Sequence, residues 1–252
     1  TAEALQASMR LAEELDTTWQ IHLSETEEER QNAIKEFGCS PVEYLAKLGC
    51  LNERTVAVHC VALSDHDIEL LAESGASVVH CPVSNMRLGC GASPVVKLLK
   101  AGVNVALGTD GAANACSLSM FEQMRTAGLI AKGFSQDPTQ LTVNQIIRMA
   151  TINGANALKL DREVGSLAVG KFADLAVIDM SQLVTMPVLD VLSNVIYAVE
   201  AQCIHQVWAS GCLVANIQQE KLLRPDRGKL LTKSNIMSWQ NRVCEILRDD
   251  FN

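Results

Sequence analysis

Asn104-Val105-Ala106-Leu107-Gly108-Thr109-Asp110-Gly111 reads as a short strand that ends on a carboxylate and stops at glycine. Its approach is largely apolar, with β-branched Val103 and Val105, as suits a strand buried on both faces. Gly108 and Gly111 bracket Thr109-Asp110 and are expected to let the backbone turn there. An acid at the C-terminal end of a buried parallel strand stands where a barrel enzyme keeps its catalytic groups. Taken alone, Asp110 would serve as well as a cap on the next helix. What favours chemistry is its company, because three earlier strand-like runs end in histidine.

Working back from Asp110, Ser77-Val-Val-His80-Cys-Pro82 is one such run, Thr55-Val-Ala-Val-His59-Cys60 another, and Thr17 to Leu23, ending in His22-Leu-Ser-Glu25-Thr26, the first. Helical patterns separate them. Residues 2 to 15 put Leu5, Met9, Leu11 and Leu15 near helical spacing, with polar residues between. An acidic helix runs from Glu27 to Gly38, and Pro41 opens a short one ending near Gly49. Ser64 with Asp67 makes a capping box, and the helix it opens stops at Gly75. Ser93-Pro94 reads as an N-cap with proline at the first helical position, in a helix ended by Gly102. Strand and helix therefore alternate four times, which argues for a parallel sheet with right-handed crossovers.

Beyond Asp110, helices are expected from Ser119 to Lys132 and from Val143 to Leu158, the second opened by a Thr142–Gln145 capping box. The character changes at the glycine-punctuated stretch Gly165 to Asp174. Leu175 to Ile178, Val195 to Val199, His205 to Ala209 and Cys212 to Ala215 read as short β runs of a small separate sheet. A last amphipathic helix is expected from about Asn235 to Arg248.

The 252 residues carry a net charge of -8 and no Lys/Arg run, which argues against nucleic acid or an anionic membrane as partner. No apolar run approaches the roughly 20 residues of a membrane span. Nine cysteines without a C-x-x-C read as small buried hydrophobes in a reducing cytoplasm. The chain opens on Thr1, directly into a helical pattern, as the interior of a longer polypeptide would.

Imidazole and carboxylate groups suit zinc and similar divalent ions, and a catalytic site keeps one position open for a water of lowered pKa. His22 and Asp110 are candidate ligands. Glu25, three residues past His22, could face the same cavity and pass a proton to a ring nitrogen. His59 could polarise the substituent on the attacked carbon or the water. Against each stands the plain alternative of a hydrogen-bonded core residue, and spacing alone assigns no role. His66 reads as a residue of a solvated helix.

His22-Leu-Ser-Glu25-Thr, His59-Cys-Val-Ala-Leu, His80-Cys-Pro-Val-Ser-Asn85 and Gly108-Thr-Asp110-Gly-Ala-Ala together resemble the second half of the amidohydrolase superfamily. The branch is that of 5-methylthioadenosine/S-adenosylhomocysteine deaminases and chlorohydrolases. Val164 to Leu175 resembles the segment where such chains leave the barrel for a small β-sandwich. The resemblance implies an α/β fold, the C-terminal half of a metal-dependent (β/α)8 TIM barrel with four βα units, plus part of that sandwich. The expected boundaries are 1–163 for the barrel half, 164–219 for the small β domain and 220–252 for a C-terminal helical segment.

The resemblance also implies roles. His22 and Asp110 bind one divalent ion, zinc, with iron, manganese or nickel as alternatives. Asp110 also takes a proton from the water, Glu25 protonates the purine ring, His59 assists at the reacting carbon, and Asn85 lines the substrate pocket. His80 is read as structural. The family's His-x-His pair is missing from this chain, and four strands cannot close a barrel. The expected function is deamination of a purine nucleoside, by a protein that forms homo-oligomers. Triazine chlorohydrolase and guanine or cytosine deaminase are the alternatives in the same class. A fragment acting only by association is the alternative outside it.

Overall fold

The computed structural model describes residues 1–216 and the backbone of 221–223 and 230–232. Two compact units divide it, one of residues 1–166 with 190–197, the other of residues 167–189 with the described residues from 198 onward.

The first unit opens with α1 (Ala2–Glu14), β1 (Trp19–Leu23), α2 (Glu27–Phe37), α3 (Pro41–Lys47) and β2 (Thr55–His59). It continues through α4 (Asp65–Ser74), β3 (Ser77–His80), α5 (Pro82–Arg87), α6 (Val95–Lys100) and β4 (Asn104–Leu107). The four strands lie side by side in chain order and all pair parallel, with Trp19 opposite Thr55, Val56 opposite Ser77 and Ser77 opposite Asn104. The expected βα repeat is thus present as one half of a (β/α)8 barrel wall.

The pleat divides the strand residues between two faces. Trp19, Leu23, Ala57, Val78, Val105 and Leu107 turn toward the helices and join Leu71, Leu98, Ile146 and Met149 in the core. Gln20, His22, Val56, Val58, Val79, Cys81 and Ala106 lie on the other face, along a cavity of about 430 Å³. That face is the inner wall of the half-barrel.

Local signals set most helix boundaries. Ser40 and Glu43, Ser64 and Asp67, and Thr142 and Gln145 form complete capping boxes. Gly38 and Gly75 close α2 and α4 in the left-handed conformation. The reading of Ser93-Pro94 needs correction. Pro94 is itself the N-cap of α6, and the Ser93 hydroxyl instead donates to the Cys60 carbonyl.

After β4 come α7 (Ala112–Ala115), α8 (Met120–Ser135), α9 (Val143–Ala150) and α10 (Ile152–Ala157). The single helix expected over 143–158 is broken at Thr151, whose φ of -132° and ψ of -98° lie outside the helical region. The break lets Asn153 donate to the Val105 carbonyl of β4 at 2.9 Å.

The second unit holds an antiparallel sheet of β5 (Leu175–Ile178), β6 (Ile204–Ala209), β7 (Cys212–Asn216), β8 (Lys221–Leu223) and β9 (Leu230–Thr232). The β run expected at Val195–Val199 is not formed. Val191–Tyr197 is α11, returned to the first unit, where it packs on α8 and α9 with Ile196 wholly buried. Packing overrides the β-propensity of Val195 and Ile196, so the expected boundary at 163/164 misses this return. The helix expected over 235–248 lies outside the described residues. No described helix is long and apolar enough to cross a membrane.

Candidate active site

The C-terminal ends of β1, β2 and β4 bring His22, His59 and Asp110 together. One ligand atom from each lies within 4.8 Å of the other two. The His22 and His59 rings are 5.0 Å apart, centre to centre, and tilted by 33°. Glu25 joins them, with its Oε1 3.8 Å from His59 Nε2. The four positions singled out at strand ends therefore include three that converge, with Glu25 beside them.

His80 is the one that does not join. It shares strand parity with Val78, so its ring turns to the helix side, where it is 2% exposed. Burial, together with the charge of His59, depresses its pKa to about 3. It is a neutral core imidazole, as the sequence suggested. His66 is exposed beside Glu43 and Glu69.

Backbone conformation, more than strand pleat, aims the converging groups. Ser24 (φ +50°), His59 (φ +74°), Cys60 (φ +49°) and Asp110 (φ +58°) are all left-handed, a cost on the order of 1 kcal/mol each for residues with a Cβ. His59 has the parity of the helix-facing residues, and the left-handed turn at the strand end redirects it. The same observation corrects the expectation for the glycines. The turn after β4 is made by Asp110 itself. Gly108 is needed for space, since a Cβ there would stand 2.6 Å from Val79 Cγ1 and 3.1 Å from Cys81 Sγ.

Asp110 is not the cap of α7, whose N-cap is Gly111. Its carboxylate is instead held by three donors. Ser84 Oγ lies 2.5 Å and Asn114 Nδ2 2.9 Å from Oδ2, and the Gly111 N–H reaches Oδ1 at 2.7 Å. Burial pushes the Asp110 pKa up. The hydrogen bonds from Ser84, Asn114 and Gly111, with the His59 charge, outweigh it and hold the carboxyl below its usual range. An ionised carboxylate with lone pairs to spare is what a cation needs.

Asn85 was expected along the substrate pocket. It is fully buried, and its Oδ1 lies 2.8 Å from His59 Nδ1, behind the ring. The sequence reading missed Ser84, Asn114 and Glu29, whose carboxylate takes the backbone N–H groups of Ser24 and Glu25. Thr26-x-x-Glu29 carried a signal for the last, since it has the capping-box pattern. Cys90 Sγ, 3.6 Å from Glu25 Oε1, had none.

The donor set fits a divalent ion. It combines two imidazoles with an ionised carboxylate, and His59 Nε2 is buried without a hydrogen-bond partner. His59 lies in the same cluster as the two expected ligands, so nearness alone does not separate ligand from catalyst.

The profile of the amidohydrolase family matches residues 1–214. A 5-methylthioadenosine/S-adenosylhomocysteine deaminase of Acetivibrio thermocellus is 39% identical over 230 residues, 91% of this chain and 53% of that protein. A 5'-deoxyadenosine deaminase of Methanothermobacter thermautotrophicus is 43% identical over 209 residues, 83% of this chain and 48% of that one. Among solved structures, an adenosine deaminase from Xanthomonas campestris with bound zinc superposes with a TM-score of 0.88 at 37% identity, over 97% of this chain and 55% of that one. The chain thus spans about half the length of the curated relatives it matches.

Proposed function

Because the chain belongs to the amidohydrolase family, we propose that it is the part of a metal-dependent aminohydrolase that carries His22, Glu25, His59 and Asp110. The whole polypeptide would remove the 6-amino group of an adenine nucleoside, 5-methylthioadenosine or S-adenosylhomocysteine. The observation that carries this reading is the convergence of His22, His59 and Asp110 at three strand ends, with Glu25 against His59. The relatives' adenosine-type substrates support the choice of ring.

His22 and Asp110 would hold the ion, zinc by the likeness to the zinc-bound adenosine deaminase, with iron, manganese or nickel as alternatives. When bound, such an ion lowers the pKa of a water toward neutrality. Asp110 accepts the proton that this water loses. Glu25 delivers a proton to the ring nitrogen next to the attacked carbon. His59 holds the oxygen that adds to that carbon. Asp110 then passes its proton to the amino group, the carbon–nitrogen bond breaks and ammonia leaves; the O–H proton of the adduct returns to Glu25, and the ring keeps the oxygen as hypoxanthine. We assign the missing ligands to a His-x-His pair carried upstream on the same polypeptide or on another chain. We also place the enzyme in the cytoplasm, as a homo-oligomer, with no nucleic acid or membrane partner.

The test is a spectrum. Full-length protein given S-adenosylhomocysteine or methylthioadenosine should show the ultraviolet shift from adenine to hypoxanthine. Glu25→Gln should keep its metal and lose about 10²-fold or more of the rate. Turnover of chlorotriazines, guanine or cytosine with none of adenine nucleosides would overturn the substrate assignment.

A further inference from the structure

The segment Pro82-Val-Ser84-Asn85 forms the first turn of α5, and two adjacent side chains of that turn reach two different groups of the site. Ser84 meets Asp110, and Asn85 meets His59. Asn85 and His59 are both 0% exposed, so water cannot stand in for either. The ring of His59 has one nitrogen against Asn85 Oδ1 at 2.8 Å and the other, Nε2, buried, unpaired and 3.8 Å from Glu25 Oε1. An amide oxygen only accepts hydrogen bonds. The Nδ1 that faces it must therefore carry the ring proton. In the neutral imidazole this leaves a lone pair on Nε2.

We propose that Asn85 is a positioning residue that fixes the His59 ring and its tautomer, so that Nε2 faces the reacting centre as a hydrogen-bond acceptor. The proposal deepens the reading of this same site as a deaminase. It makes His59 the group that accepts from the O–H of the adding water or of the tetrahedral adduct. The proton donor is then Glu25. Asn85 would not touch substrate, since it lies behind the ring and its oxygen is already engaged.

Two measurements on the full-length protein decide it. In metal-free protein with nitrogen-15 histidine, nuclear magnetic resonance should show His59 with its proton on Nδ1. Asn85→Leu, which cannot accept, should lose that state, and Asn85→Asp, which can, should keep it. In the metal-loaded enzyme, Asn85→Leu should lower kcat by about 10- to 100-fold with KM little changed, the usual effect of losing a group that orients an active-site histidine. Asn85→Asp should recover most of the loss. A wild-type His59 carrying its proton on Nε2 would overturn the proposal, and that result needs no variant to fold. A raised KM with kcat intact in Asn85→Leu would also overturn it and return Asn85 to the substrate pocket. Should no adenine compound turn over, the resonance result still stands or falls alone, so failure of the substrate reading is distinguishable from failure of the Asn85 assignment.

Discussion

Glu29 holds Glu25 by its backbone. The carboxylate of Glu29 accepts the Glu25 N–H at 2.7 Å through Oε2 and the Ser24 N–H at 3.0 Å through Oε1. Thr26 caps α2 by accepting the Glu29 N–H, so the first turn of α2 is tied back onto the exit of β1. The left-handed Ser24 needs such a tie, and Glu25 takes its direction from it. In Glu29→Gln one of the two oxygens becomes an N–H₂ group that faces a backbone donor. We expect a loss of about 1–3 kcal/mol from one unpaired N–H near buried Ser24. We also expect slower turnover by the full-length enzyme at unchanged metal content. Denaturant titration and kcat on one preparation check both. Lost stability with unaltered kcat would reduce Glu29 to a support for α2.

The same tie shows what the sequence makes legible. The βα alternation, the capping boxes at Ser64 and Thr142, the glycine stops at Gly38 and Gly75, and the strand-end positions of His22, His59 and Asp110 follow from local patterns. Period two marks the strands, and a serine or threonine three residues before an acid or amide marks the helices. Parity sets His80 on the helix side but would set His59 there too; the left-handed turn at His59 and Cys60, which no local pattern announces, is what separates them. What local pattern does not carry is long-range packing. Val195 to Val199 is β-branched enough to read as strand, yet Val191–Tyr197 is helical because it packs on α8 and α9 and buries Ile196. The roles of Ser84, Asn85 and Asn114 depend on partners 4 to 26 residues away, brought close by the parallel sheet.

Buried His80 gives the fold an acid-sensitive point. Its pKa falls from 6.5 to about 3 on folding, by desolvation and by the charge of His59. A base with a lowered native pKa binds its proton more weakly folded than unfolded. Its contribution to stability is therefore complete above about pH 6.5 and is lost as the pH falls toward 3. His80→Leu, similar in bulk and never charged, should flatten the stability profile between these limits. Denaturation midpoints at neutral and mildly acid pH, for both proteins, provide the check. An unchanged acid slope in the variant would place the sensitivity elsewhere.

Strand β1 pairs with β2 along one edge and with no other described strand, and an open groove of about 830 Å³ runs beside it between α1, α2 and α3. An unpaired edge strand is a template for another strand. Expressed alone, the chain should associate with itself. Coexpressed with the upstream segment of its own polypeptide, it should prefer that segment. Light scattering with size exclusion reads both outcomes. A monodisperse monomer would argue that this edge needs no partner.

Asp110 separates chemistry from architecture. Replaced by Asn, it can keep its oxygen toward the Gly111 N–H, while its new N–H₂ group turns to Ser84 and Asn114. The Ser84 hydroxyl can rotate to accept, and the Asn114 amide can present its oxygen. The local hydrogen bonds are thus rebuilt, and stability should change by about 1 kcal/mol or less, because every polar partner of the half-buried side chain stays paired. The charge is not rebuilt. A neutral amide is a poorer ligand than an ionised carboxylate and accepts no proton at neutral pH. Metal content of the full-length Asp110→Asn protein should therefore fall, and enzyme reloaded with excess metal should stay slower by about 10²-fold or more. Metal analysis, turnover and thermal midpoint on the same preparation distinguish the two readings. Full metal occupancy with retained turnover would mean that the Ser84–Asp110–Asn114 cluster serves only to shape the turn after β4.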